Sequence, residues 1–333
     1  MSAWLQVRDL SVDFRVGGSA RSPLLLRALR SVSFEVAKGT VFGIVGESGC
    51  GKSTLARVLS GLTAPTYGTV SLEGASLGAV RAPAQRRRIQ MVFQDPGSSL
   101  NPAMTTRRML QQLLSYHRIV PQDRIEQRCR ELMEQVRMPI AALDKKPGAL
   151  SGGQRQRIAI ARALALEPDI LIADEPTAAL DVSVQASVLN LIGKLIRDLG
   201  MTMVFISHDM AVVRRVCDHV AVMYLGRIVE SGETEEVFQH PRHPYTNALM
   251  AAVPRLHPLP ASEYRMLKAE QPSPLANITG CAFRNRCPKA GALCATDLPE
   301  LTGADHQVAC HYPRAHPPNA DAPQLQGRSG HAT

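Results

Sequence analysis

The sequence predicts an α/β protein carrying a small second unit at its C-terminal end, and three observations carry that prediction. From residue 41 to about 225, apolar runs of strand length alternate with segments of helical periodicity, the pattern of parallel βα units. Residues 41–62 pass from the apolar run VFGIV through a glycine-rich segment into TLARVLSGL, a strand–loop–helix unit. Beyond about residue 240 the composition turns to proline, histidine and cysteine, and HPRHP, HPLP and later HPP interrupt any long periodic element.

Residues 5–45 hold short runs rich in Val, Phe and Leu, broken at Gly17-Gly18 and Lys38-Gly39, which read as antiparallel strands joined by turns. Residues 106–137 place Leu110, Leu113, Leu114, Leu132, Met133 and Val136 among Gln, Arg and Glu, a helical spacing that predicts a helical insert. DILIAD at 169–174 and MTMVFIS at 201–207 read as buried strands separated by the helix VSVQASVLNLIGKLIRDL, and HVAVMYL at 219–225 reads as a third. The expected organisation is a main α/β unit over 1–240 with a helical part at about 95–165, an extension over 241–313, and a disordered tail over 314–333, which has almost nothing to bury. No internal repeat is evident.

With 333 residues, 45% hydrophobic and 20% charged, the chain can bury a full-sized core. No stretch approaches the roughly 18 apolar residues of a spanning helix, and MSAWLQVRDL lacks the basic-then-apolar layout of a signal peptide. A cytosolic location is expected. The net charge of +9 suits nucleic acid, anionic lipid or nucleotide phosphates alike. Of seven cysteines, Cys50, Cys129 and Cys217 are scattered, while Cys281, Cys287, Cys294 and Cys310 crowd together, which in a reducing compartment points to metal before disulfide.

Residues 46–54 read GESGCGKST, the complete G-x-x-x-x-G-K-S/T pattern, placed between an apolar strand and a helix as its mechanism requires. Gly46, Glu47, Ser48, Gly49, Cys50 and Gly51 form the loop. Its glycines let backbone N–H groups curl round the β- and γ-phosphates at a helix N-terminus. Lys52 brings a cation to those phosphates, the Ser53 hydroxyl can ligate Mg²⁺, and Thr54 adds a phosphate contact. A plain glycine-rich turn is the alternative. At 170–175, ILIADE sets two carboxylates at the exit of a buried strand. Asp174 is placed to hold Mg²⁺, and Glu175 to polarise the attacking water as general base; the alternative is a pair of solvated strand-end acids.

Between these motifs stands LSGGQ at 150–154, followed by RQRIAIARAL, and here the sequence resembles the ABC ATPases. Ser151, Gly152, Gly153 and Gln154 repeat the logic of the phosphate loop, small residues exposing N–H groups at a helix N-terminus. The resemblance implies a P-loop ABC ATPase fold, with a RecA-like mixed sheet core, an antiparallel β subdomain and a helical subdomain. It also implies that Gln94 in MVFQDP contacts metal and attacking water, that His208 in FISHD reaches the γ-phosphate, and that Asp181 in AALD shapes a dimer contact. Phe14 stands where the family places an aromatic that stacks on adenine, with a core position as the alternative. Ala178 departs from the family's usual serine.

The resemblance further implies that ATP is sandwiched between this chain and a second ATPase, a sister subunit or a second copy, working with two membrane-spanning permease subunits at the cytoplasmic face of the inner membrane. DPGSSLNP, AVMYLGRIVESG, HPYTNALMAAVPR and the segment QPSPLANITGCAFRNRCPKAGALC are similar to oligopeptide and dipeptide importer ATPases, the second of the two in particular. That similarity implies peptide import with an extracytoplasmic binding protein; nickel, glutathione or another solute is the alternative cargo. The cysteine spacing C-x5-C-x6-C-x15-C leaves zinc and iron–sulfur both open. The resemblance implies a [4Fe–4S] cluster of structural role. Two further readings, a soluble ABC ATPase acting on nucleic acid or ribosomes and a cluster-bearing sensor, are opposed by the importer-like tail, and no nucleic acid partner is expected.

Overall fold

The computed structural model describes residues 3–18, 23–252, 271–273, 275 and 278–314. Two long strands open the chain, β1 (Leu5–Gly18) and β2 (Pro23–Val36). Then β3 (Val41–Val45) leads into α1 (Lys52–Leu59), followed by β4 (Tyr67–Leu72), β5 (Ala75–Leu77), α2 (Pro83–Arg88) and β6 (Ile89–Val92). A helical arm follows, made of α3 (Pro96–Ser99), α4 (Thr106–Tyr116), α5 (Ile125–Gln135) and α6 (Gly152–Leu164). The α/β alternation resumes with β7 (Ile170–Asp174), α7 (Val182–Leu199), β8 (Thr202–Ser207), α8 (Met210–Val216) and β9 (His219–Tyr224). The chain then runs through β10 (Arg227–Glu233), α9 (Thr234–Gln239), α10 (Pro244–Ala252), α11 (Leu293–Thr296) and β11 (Gln307–Val308).

The strands form a four-stranded sheet in the order β2-β1-β4-β5 and a seven-stranded sheet in the order β11-β10-β9-β3-β8-β7-β6. The first is antiparallel throughout, whereas β9, β3, β8, β7 and β6 are parallel. Parallel neighbours need crossovers, and α7 supplies one between β7 and β8. Both faces of the parallel sheet are buried. Val204 and Ile206 pack with Phe42 and Ile44 toward the antiparallel sheet and α1, while Met203 and Phe205 face the opposite core with Val41 and Val45. The near-continuous apolar runs of β3, β7 and β8 follow from this two-sided burial.

The expected 5–45 strand pattern is present, but as two long bulged strands that precede a parallel one. The helical insert is the pair α4 and α5, held by ion pairs from Arg107 to Glu126 and Asp144 and by an Arg162 hydrogen bond to the Ser99 carbonyl. Residues beyond 240 return to the central sheet, because β11 pairs with β10 through Glu230 and Ser231. The expected disordered tail, apart from Arg314, lies outside the described residues. None of the described helices is long and apolar enough to cross a membrane.

Candidate active site

The phosphate loop leaves β3 and turns into α1 through two left-handed glycines, Gly49 at φ +77° and Gly51 at φ +109°. Only glycine fits at Gly51, where an added Cβ would stand 2.4 Å from the Ala28 carbonyl oxygen, or at Gly46, where it would stand 2.2 Å from that of Met223. Lys52 is 4% exposed. Its ammonium donates to the carbonyl oxygens of Gly46 at 2.7 Å and Glu47 at 3.0 Å and lies 3.9 Å from Glu175 Oε1. A phosphate entering the loop meets a cation already held at its centre.

Asp174 ends β7 and Glu175 follows it, and their side chains take different surroundings. Asp174 points inward, 5% exposed, and accepts a hydrogen bond from the Ser53 hydroxyl at 3.3 Å. Burial raises its pKa; the Ser53 bond opposes this and the neighbouring Glu175 reinforces it. Glu175 adopts φ +46°, a left-handed conformation costing a β-strand-end carboxylate about 1–3 kcal/mol. It turns the carboxylate toward the loop, where Oε2 accepts from Gln94 Nε2 at 3.3 Å and lies 3.1 Å from His208 Nδ1. The ends of β6, β7 and β8 thus bring Gln94, Glu175 and His208 together.

Phe14, Ser48, Gly49, Gly51, Lys52, Ser53, Thr54, Gln94 and Glu175 line one cavity of about 400 Å³. Phe14, 38% exposed, projects from β1 at its rim and is therefore outside the core. Arg27 and Arg30 on β2 line the same cavity. The sequence reading missed both; the available signal was two cations spaced three apart in the otherwise apolar stretch LLLRALR. Burial and the neighbouring Arg27 lower the Arg30 pKa, with Asp13 opposing. A larger cavity of about 900 Å³ lies between the antiparallel sheet and the extension and holds none of the loop residues.

Ser151, Gly152, Gly153, Gln154 and Asp181 do not line the phosphate cavity. Ser151 caps α6 by a reciprocal pair: its hydroxyl accepts from Gln154 N–H at 3.3 Å, and Gln154 Oε1 accepts from Ser151 N–H at 3.1 Å. Gly153 packs so closely on α7 that an added Cβ would lie 2.3 Å from Val184 Cγ1. Asp181 precedes α7 without a side-chain capping bond, and Ala178 is exposed beside it.

The four C-terminal cysteines share one neighbourhood, since burial first and then the other three sulfurs raise the Cys310 thiol to about 11. Burial also raises the Cys281 and Cys287 thiols, with the backbone at Phe283 and at Lys289 opposing it. This donor set suits a soft metal. The side chains are nevertheless not drawn together: among the described residues no three His, Cys, Asp or Glu form a group that could hold a metal ion.

Comparison with known proteins adds to this geometry. The family model "ABC transporter" matches residues 29–178, and "Oligopeptide/dipeptide transporter, C-terminal region" matches residues 229–294. A putative peptide import ATP-binding protein of Brucella ovis is 45% identical over 89% of this chain and 93% of its own length. The di/tripeptide transport ATP-binding protein DppF of Pseudomonas aeruginosa is 44% identical over 94% and 98%. The oligopeptide transport ATP-binding protein OppF of Escherichia coli is 44% identical over 92% and 95%. Among solved structures, a dimeric ATP-binding cassette in a post-hydrolysis state with ADP and phosphate matches with TM-score 0.61 at 28% identity, covering 69% of this chain and 98% of that one. A cassette from the cbiONQ complex of Clostridium perfringens matches with TM-score 0.61 at 30% identity, covering 72% and 92%.

Proposed function

Because the chain belongs to the ABC transporter family, in its branch of oligopeptide and dipeptide import ATPases, we propose that it works as one half of an ATPase pair, binding ATP on its own phosphate loop beneath the signature segment of the partner. It is the ATP-hydrolysing subunit of a peptide importer. None of the three relatives is named for nickel, glutathione or nucleic acid.

The observation that carries the site reading is the convergence on Glu175. One carboxylate faces Lys52, Gln94 and His208 at the edge of the cavity floored by the loop. Glu175 is the general base for the attacking water, His208 and Gln94 orient it, and Phe14 stacks on the base of the nucleotide. Ser53 and Asp174, with Gln94, hold Mg²⁺, which when bound offsets charge on the β- and γ-phosphates. Ser151–Gln154 and Asp181 stand away from this cavity, so their roles fall on the partner's nucleotide. The partner is a sister ATPase or a second copy, and both dock on two permease subunits at the cytoplasmic face, served by an extracytoplasmic binding protein. ATP favours the closed pair through contacts made only there, and hydrolysis removes them.

The test is the association state of Glu175→Gln with ATP and Mg²⁺. A stable pair, with the sister subunit or with itself, that dissolves when nucleotide is removed supports the reading. A variant that binds ATP yet stays monomeric with every candidate partner contradicts it.

We also infer that Cys281, Cys287, Cys294 and Cys310 take up a [4Fe–4S] cluster with a structural role, supported by four free thiols in one short extension, which cluster binding would have to draw closer together. Iron and sulfide analysis after anaerobic purification tests this. Four irons per chain, lost in Cys287→Ser, support it, and zinc or no metal contradicts it.

A further inference from the structure

The second residue of the phosphate loop is tied to the C-terminal extension. Arg286, at the end of the short turn Arg284–Arg286, lies 239 residues from Glu47. Its guanidinium donates to both carboxylate oxygens of Glu47, at 2.7 Å and 2.9 Å. This is a two-pronged ion pair, the geometry in which arginine holds a carboxylate most firmly. The arginine is 1% exposed at its side chain and the glutamate 25%. The guanidinium also lies 5.8 Å from the ring centroid of Tyr224 and 5.7 Å from that of Phe283.

A second tie acts on the same residue. Glu47 N–H donates to the Tyr245 hydroxyl at 2.9 Å, and Tyr245 is fully buried on α10. The backbone donor of Glu47 is therefore used inside the protein, and phosphate must be met by the N–H groups that follow it. The extension itself is fixed. The Glu230 carboxylate is buried; it accepts from Arg242 and His243 N–H at 2.6 Å and 3.0 Å and lies 2.7 Å from His306 Nε2.

We propose that Arg286 is a positioning residue for ATP binding. It holds the Glu47 carboxylate away from the phosphate site, neutralises it, and sets the entry of the loop. Without Arg286, a carboxylate two residues from the phosphate cradle faces an incoming polyanion unpaired, and the loop loses its outer anchor. The C-terminal extension thereby takes part in nucleotide affinity.

The proposal rests on the phosphate-loop reading, and Lys52→Ala separates the two. If Lys52→Ala binds nucleotide like the parent chain, the site reading itself has failed. The experiment measures affinity for a fluorescent ATP analogue, with KM and kcat for ATP, in the full chain and in Arg286→Gln, Glu47→Gln and the double variant. Arg286→Gln is expected to weaken nucleotide binding about tenfold and to raise KM by a similar factor while kcat changes far less. Adding Glu47→Gln is expected to restore most of that loss, because the unpaired carboxylate is gone. A merely structural arginine would give a loss that Glu47→Gln does not relieve, and that result overturns the proposal, as does unchanged affinity in a folded Arg286→Gln. Should Arg286→Gln fail to fold, Glu47→Gln alone decides. It is expected to make trypsin cleave the extension faster in the absence of nucleotide, and unchanged cleavage overturns the proposal.

Discussion

The Ser53 hydroxyl donates to Asp174 Oδ1 at 3.3 Å across 121 residues of chain, joining the first turn of α1 to the end of β7. The bond partly offsets the rise in pKa that burial imposes on this carboxylate. A cation at this point would relieve the same penalty.

Asp174→Asn should therefore separate stability from function. The folded pKa of Asp174 is raised, so its carboxylate costs stability once pH rises through its unfolded value. The neutral isostere removes that cost and keeps a partner for Ser53. Without nucleotide the variant should melt a few degrees higher, for a gain of about 1 kcal/mol, while Mg²⁺-dependent turnover falls at least about 100-fold. Thermal melts and steady-state ATPase assays check both.

Glu175→Gln should keep ATP affinity and lose turnover by about 10²–10⁴-fold, the range for removal of a general base. The amide still accepts from Gln94 and no longer pairs with Lys52. Undiminished turnover would mean that another group takes the proton from water.

Acid should loosen the extension through His243. The ring is fully buried, which lowers its pKa from 6.5 to about 4, with Glu230 opposing, and its Nδ1 accepts from Tyr245 N–H at 3.0 Å. A depressed histidine contributes stability that is complete above its unfolded pKa and lost as pH falls from about 6.5 toward 4. The loss should be on the order of 3 kcal/mol. His243→Gln, whose amide oxygen can accept the same bond, should flatten the melting profile across that window.

Gly153→Ala should cost about 1–3 kcal/mol through overpacking against Val184. Affinity of the isolated chain for ATP should hold, because Gly153 does not line the cavity, whereas turnover of the paired ATPase should fall. Calorimetry and nucleotide titration separate these effects.

The phosphate loop, Asp174 and Glu175 were legible because local backbone demands fix them: glycines where φ is positive or a Cβ would strike a carbonyl, and carboxylates at strand exits. The length of β1 and β2 was hidden. Their pairing shifts register between Val7 and Leu10 and again at Val12, and Asp9 and Ser31 take positive φ, so the period of two that marks a strand breaks repeatedly. Arg286 with Glu47, and His306 with Glu230, were invisible for another reason. Each joins residues far apart in the chain, and an ion pair leaves no periodic trace at either end. The relation of the cysteines to one another likewise depends on the turns between them, which their spacing does not specify.

ATP-driven peptide uptake by the chain, assembled in proteoliposomes with candidate permeases, an ATPase partner or a second copy of itself, and a peptide-binding protein, is the most direct test. Uptake should require internal ATP and Mg²⁺, ATPase activity should rise when peptide-loaded binding protein is added, and both should be lost in Glu175→Gln. ATP hydrolysis that ignores the membrane complex and moves no peptide would contradict the proposed function.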